Sequence, residues 1–109
     1  MNIIDYVTAG GKNLITEYLD KLPITEQAVG YRIRERLRER GIVELKSFNT
    51  RQLRGKLWEI KFSDNRIMYI VRDSENIYFL HVCKKQKNKA ERFELEKAIR
   101  RAKEFGLKI

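Results

Sequence analysis

Three short stretches hold the side chains capable of chemistry. Glu59 and Lys61 lie in Leu57-Trp58-Glu59-Ile60-Lys61-Phe62, and Arg66 opens Arg66-Ile67-Met68-Tyr69. His81, Lys84, Lys85 and Lys87 lie in Leu80-His81-Val82-Cys83-Lys84-Lys85-Gln86-Lys87. A carboxylate, a guanidinium, an imidazole and several ammonium groups can cleave RNA without a metal. The ribose 2′-OH attacks the adjacent phosphorus in line, and a base takes its proton. Cations stabilise the phosphorane, and an acid protonates the leaving 5′-oxygen. Glu59, or a lysine of depressed pKa, could be the base. Arg66 suits bidentate phosphate contact, and His81 or Lys84 could be the acid. A single histidine excludes a paired-histidine nuclease. With no DxD, HExxH or glycine-rich phosphate loop, neither a metal nor a cofactor is expected. Plainer roles exist for each residue. Glu59 could pair with Lys61 or Arg66 on a solvated sheet, His81 could pack between Leu80 and Val82, and the lysine run could be a solvated segment. Cys83, the sole cysteine, forbids an internal disulfide and reads as a small buried hydrophobe.

These residues need strands and helices to position them. Residues 3–7 read as a short strand, turned by Gly10-Gly11. Leu14, Ile15, Tyr18, Leu19 and Leu22 recur at helical spacing, predicting a helix over 12–22. Pro23 marks a junction. Val29, Ile33 and Leu37 fall four apart on a second helix that stops at Gly41, with Arg38 and Arg40 suited to its C-terminal dipole. From Leu57 the period shortens to two. Strands are predicted over 57–62, 66–71 and 77–83, with turns at Asp64-Asn65 and over 72–76. Asn88 with Glu91 makes a capping-box-like start, and Phe93, Leu95, Ala98, Ile99, Ala102 and Phe105 give a last helix an apolar side before Gly106. The expected fold is α+β, in the order β-α-α-β-β-β-α, with a small antiparallel sheet packed on helices. The 109 residues make one domain, 1–109.

The turns fix a register. A two-residue Asp64-Asn65 loop sets Ser63 against Arg66, Lys61 against Met68 and Glu59 against Ile70. A turn tipped by Ser74-Glu75 sets Met68 against His81 and Tyr69 against Leu80. One face then carries Trp58, Ile60, Phe62, Ile67, Tyr69, Val71, Tyr78, Leu80 and Val82, and must pack on helices. The other, expected to be open, carries Glu59, Lys61, Arg66 and His81 among Leu57, Met68, Ile70, Ile77 and Phe79. Lys61, Met68 and His81 fall in one row, so Lys61 and His81 flank a gap of ~10 Å.

Charge points to a polyanion. The chain has 24 lysines and arginines against 15 acids, a net charge of +9. Residues 32–56 and 84–103 each hold nine basic and three acidic side chains. Two basic segments flanking a sheet with a polar face look like an anion-binding cleft, in which Arg54, Lys56, Lys85 and Lys87 would hold RNA. With 42% apolar residues, five Phe, five Tyr and one Trp, a packed core rather than disorder is expected. No apolar run approaches ~18 residues, so no membrane span is expected. The polar N-terminus predicts no signal peptide, and a reducing cytosol is the expected location.

Leu53-Arg54-Gly55-Lys56-Leu57-Trp58-Glu59-Ile60-Lys61-Phe62, then Asn65-Arg66-Ile67-Met68-Tyr69, then Leu80-His81-Val82-Cys83-Lys84-Lys85-Gln86-Lys87 together resemble the RelE/ParE toxin superfamily. They are most similar to its HigB-like, phage-Gp49-like branch. The resemblance covers about residues 3–105. It implies the RelE-like, microbial-RNase-like fold and the toxin of a type II toxin–antitoxin system. Such toxins enter the ribosomal A site and cleave translated mRNA with basic residues. Arg66 matches the family's strand arginine, and Lys84 and Lys85 match its basic pair. Lys61 stands where the branch often has arginine. Cys83 departs from the usual Phe or Gly, and the C-terminal tyrosine of some RelE toxins has no counterpart. The implied partners are a HigA-like helix-turn-helix antitoxin, in a heterotetramer, and the ribosome with its mRNA. A ParE-like gyrase poison without nuclease activity and a plain nucleic-acid-binding module are the alternatives.

Overall fold

The computed structural model describes residues 1–85, 87 and 89–109. Gln86 of the basic motif and Asn88 of the expected capping box lie outside the described residues. Strand β1 (Asn2–Asp5) leads to helices α1 (Leu14–Asp20) and α2 (Ile24–Arg40), then a 3-10 helix (Gly41–Ser47). Strands β2 (Asn49–Arg54), β3 (Leu57–Phe62), β4 (Asn65–Val71) and β5 (Asn76–Lys84) follow, and α3 (Lys89–Glu104) closes the chain. The α+β class holds, with one more strand than expected. β2, reading Asn-Thr-Arg-Gln-Leu-Arg, lacks apolar alternation because it is an edge strand.

Local chemistry accounts for the boundaries. Asn13 Oδ1 accepts from the Ile15 and Thr16 amides, both at 3.0 Å, so α1 starts two residues later than the apolar spacing alone implies. Pro23 precedes the first turn of α2, and Gly41 (φ 78°) ends it. Gly55 (φ 54°) turns β2 into β3. Its missing Cβ matters twice, because the Ile109 backbone would lie 2.7 Å from it.

The sheet order is β1-β5-β4-β3-β2, antiparallel except that β1 runs parallel to β5. α1 and α2 cover one face, over Ile60, Phe62, Ile67, Tyr69, Ile77, Phe79 and Val82. α3 covers the other, where Ala98 and Ala102, both 0% exposed, let it approach Leu57, Met68, Ile70, Tyr78, Leu80 and Cys83 closely. A buried Arg34–Asp5 pair at 2.7 Å ties α2 to β1, and Asn13 donates to the same carboxylate. Both are needed where a charge leaves water.

The expected register is corrected at three points. The β3–β4 loop is Ser63-Asp64, with Ser63 at φ 51°, so Lys61 pairs with Arg66 and Glu59 with Met68. Parity survives and the face assignment of β3 and β4 with it. The Met68–His81 pair is as expected, but Tyr69 pairs with Phe79 rather than Leu80. A bulge at Leu80 therefore moves Ile77 and Phe79 to the α1–α2 face and Tyr78 and Leu80 to the α3 face. Finally, the polar face is not open. Its interspersed apolar side chains need a cover, and α3 supplies it.

Four residues expected inside are exposed: Val29 at 43%, Trp58 at 36%, Phe93 at 66% and Phe105 at 37%. Among the described residues, no helix is long and apolar enough to cross a membrane.

Candidate functional site

The polar residues of β3, β4 and β5 gather under α3. Glu59 is 0% exposed, yet neither of its carboxylate oxygens accepts a hydrogen bond from the described residues. Cations surround it instead: Arg51 Nε at 3.4 Å, Arg66 Nη1 at 3.5 Å and Lys61 Nζ at 3.7 Å. Burying a carboxylate costs several kcal/mol unless charge compensates it, and three cations do so here. Glu59 is thus the counter-ion that holds a cluster of positive groups at the rim of the sheet. The expectation of a carboxylate on an open face is corrected by this burial.

Arg66 is 4% exposed, and its Nη1 donates to Glu91 Oε1 of α3 at 3.0 Å. Arg51 Nη2 donates to the same oxygen at 3.1 Å. The two hydrogen bonds, from Arg66 first and Arg51 second, hold the Glu91 carboxyl below the usual carboxylate range. The Nε of Arg66 is buried without a partner among the described residues. Arg66 borders two clefts. One, of about 400 Å³, is lined by Arg51, Arg54, Arg92 and Glu91 among others. The second, of about 270 Å³, is lined by Lys61, Ser63, Asp64 and Lys85 among others. Lys61, Arg66 and Lys85 therefore converge, with Arg54 on the far side of Arg66.

His81 faces α3 one row away, paired with Met68, which in turn pairs with Glu59. The expected row of Lys61, Met68 and His81 is corrected to Glu59, Met68 and His81. Arg101 Nη1 lies 3.0 Å from His81 Nδ1 and donates also to the Leu80 carbonyl at 3.0 Å. The bulge leaves Leu80 without a cross-strand partner, and its carbonyl meets Arg101. A guanidinium only donates, so Nδ1 is the acceptor and Nε2 carries the proton, which it gives to Glu94 Oε2 at 2.6 Å. Burial, above all, pushes the His81 pKa below its ordinary value, against the pull of Glu94, so the ring is neutral. Burial acts to raise the Glu94 pKa, but the hydrogen bond and charge of His81, the hydrogen bond from Cys83 and the charge of Lys97 together outweigh it and the net shift is downward. Cys83, beside Glu94, is pushed up to about 12 by burial and stays a thiol.

His81, Cys83 and Glu94 place one ligand atom each within 4.8 Å of one another. Nitrogen, sulfur and oxygen are a zinc donor set. A metal-bound histidine, however, gives its second N–H to an acceptor. Here that second nitrogen faces the donor Arg101, so the surroundings of His81 do not fit a metal at Nε2.

Two expected members lie elsewhere. Lys84 leaves β5 on the α1–α2 side, its Nζ 3.6 Å from Glu26, so it does not join His81. Lys56 lines a cavity of about 550 Å³ with Leu45, Lys46, Trp58, Tyr69, Val71 and Arg72, on the sheet face opposite Arg66. Lys85 and Lys87 are exposed. Sequence reasoning missed Arg51, Glu91, Glu94 and Arg101. The last three were detectable: positions 91, 94, 98 and 101 step by three and four along one stripe of α3, beside the apolar positions that face the sheet.

No curated protein matches the chain. A family model described as "Phage derived protein Gp49-like (DUF891)" matches residues 17–103, the stretch from α1 through nearly all of α3. The chain belongs to this Gp49-like, phage-derived protein family, which is associated with toxin–antitoxin systems.

Proposed function

We propose that the chain is the toxin of a type II toxin–antitoxin pair and acts as a ribosome-dependent, metal-independent mRNA endoribonuclease in the cytoplasm. One observation carries the reading: Arg51, Lys61 and Arg66 stand around a buried carboxylate at the edge of two clefts, with His81 in the next row. Such a cluster suits a reaction whose transition state gathers negative charge on phosphate oxygens. Arg66 and Lys61 stabilise the phosphorane, and Glu59 keeps them oriented. Glu94, ionised and hydrogen-bonded to His81, takes the 2′-OH proton, and the protonated pair returns a proton to the leaving 5′-oxygen. Arg54, Lys85 and Lys87 hold flanking phosphates. Lys84, half-exposed and turned toward α2, joins them as a phosphate contact rather than as the acid.

The partner we infer is a HigA-like helix-turn-helix antitoxin, assembled as a heterotetramer. The cavity beside Trp58 supports an amphipathic partner, because Lys46, Lys56 and Arg72 surround an apolar floor there. Primer extension on mRNA from cells expressing the chain tests the function. Cuts in phase with codons support it. Intact mRNA with stalled or broken DNA would instead indicate a ParE-like gyrase poison, and intact mRNA and DNA a binding module. Co-expression with an adjacent small gene should restore growth and yield a co-purifying complex.

A further inference from the structure

Glu91 meets two arginines from two different strands on a single oxygen. That is how an anion is held in a cationic seat, and its occupant here is a side chain of the protein itself. We propose that Arg51 and Arg66 form a two-armed seat for one RNA phosphate, and that the Glu91 carboxylate fills it until RNA displaces it. The inference rests on the nuclease reading only in taking the ligand to be RNA.

Three observations support displacement. The Arg66 side chain is nearly sealed, yet its Nε has no partner among the described residues, so the seat offers more donors than a carboxylate engages. A phosphate has more acceptor oxygens to meet them. Next, Glu91 is 38% exposed and lies in the first turn of α3, where an incoming anion gains from the same helix dipole that favours the glutamate. Last, the cleft at Glu91 is lined by Arg51, Arg54, Arg66 and Arg92, so once the carboxylate swings out the site is strongly cationic. Arg51 then becomes a residue that touches substrate, on a strand that the sequence alone did not disclose.

The plainer role for Glu91 is to pin α3 to the sheet, and the test separates the two. Fluorescence anisotropy measures binding of a labelled RNA 12-mer carrying 2′-O-methyl groups throughout, which cannot be cleaved. Glu91→Gln and Glu91→Ala should each tighten binding about three- to tenfold, the factor expected when a largely closed site is opened. Glu96→Gln removes the same charge from an exposed position on the same helix and should tighten it far less. Adding Arg51→Ala to Glu91→Gln should abolish the gain. Thermal melting confirms which variants are folded, and either Glu91 variant alone decides the matter. Equal affinities for the Glu91 and Glu96 variants, or a gain that survives without Arg51, would overturn the proposal. If the Arg51-dependent gain appears while mRNA in cells stays intact, the seat stands and the nuclease reading fails. If mRNA is cut and no gain appears, the seat fails and the nuclease reading stands.

Discussion

Replacing Arg66 with alanine separates the energetic role of this side chain from its chemical one. Read from the sequence, Arg66 lay outside the packed core and its loss would leave folding untouched. At 4% exposure, with Glu59 at 0% beneath it, the expectation changes. Removing one partner of a buried ion pair costs roughly 3–5 kcal/mol. Arg51 at 3.4 Å and Lys61 at 3.7 Å remain to compensate Glu59, which places the cost near the lower end. A domain of this size loses roughly 4 °C of Tm per kcal/mol, so Arg66→Ala should melt about 12 °C lower. Glu59→Gln removes the charge left behind, so the double variant should be no worse than Arg66→Ala. The coupling should be about 1–3 kcal/mol in urea titrations. Arg66→Lys should recover most of the stability. It should recover little of the activity, because an ammonium lacks the planar fork. Single-turnover cleavage on programmed ribosomes should fall about 10²–10³-fold in Arg66→Ala. A folded Arg66→Ala protein that cleaves at the wild-type rate would refute the phosphate role. One that melts with the wild type and shows no coupling to Glu59 would refute the ion-cluster argument.

Alanine at Lys84, Lys85 and Lys87 together should weaken ribosome association. It should also lower the slope of log affinity against log salt by about 2, since each phosphate contact contributes about 0.7 on a single strand. An unchanged slope would return these lysines to solvent. His81 is held below its ordinary pKa near 6.5, so the unfolded chain binds the extra proton first on acidification. Stability should be flat above that pH and decline as pH falls from about 6.5 toward the depressed folded value. His81→Gln should flatten that decline in urea midpoints. Gly30→Ala would place a Cβ 2.8 Å from Leu19 Cδ2 and 3.3 Å from Phe62 Cζ. Overpacking of that kind costs about 1–3 kcal/mol, measurable as a lower Tm, and a neutral result would mean that α1 shifts freely against α2.

The elements that declare themselves in the sequence do so through periodicity. Ile33 and Leu37 at spacing four, the alternation of β3 and the Met68–His81 pairing all follow from local pattern and turn chemistry. What is not legible has a non-local cause. β2 is polar because, among the described residues, its outer edge has no neighbour, and the parallel pairing of β1 with β5 leaves no mark in either segment. The bulge at Leu80 is fixed by tertiary packing and by Arg101, twenty-one positions away. For the site, residue types were readable and their surroundings were not. Glu59, Arg66 and His81 could be assigned to one face of the sheet, but their burial depends on α3. Leu57, Met68 and Ile70, interspersed among the polar residues of that face, were the signal that something had to cover it.

The pairing of β1 with β5 also governs the order in which the molecule can be completed. Asn2 and Asn76 meet across a separation of 74 residues, and the stripe that carries Glu91, Glu94 and Arg101 comes later still. Contacts so distant in sequence must wait for the costly closure of a long loop, which makes such topologies slow to fold. β1 is thus made before β2, β3, β4 and β5 but is among the last strands to find its neighbour. No N-terminal fragment can assemble the cationic cluster under its helix. A chain interrupted before α3 would present a half-covered, apolar sheet, with Glu59, Arg66 and His81 left open to solvent.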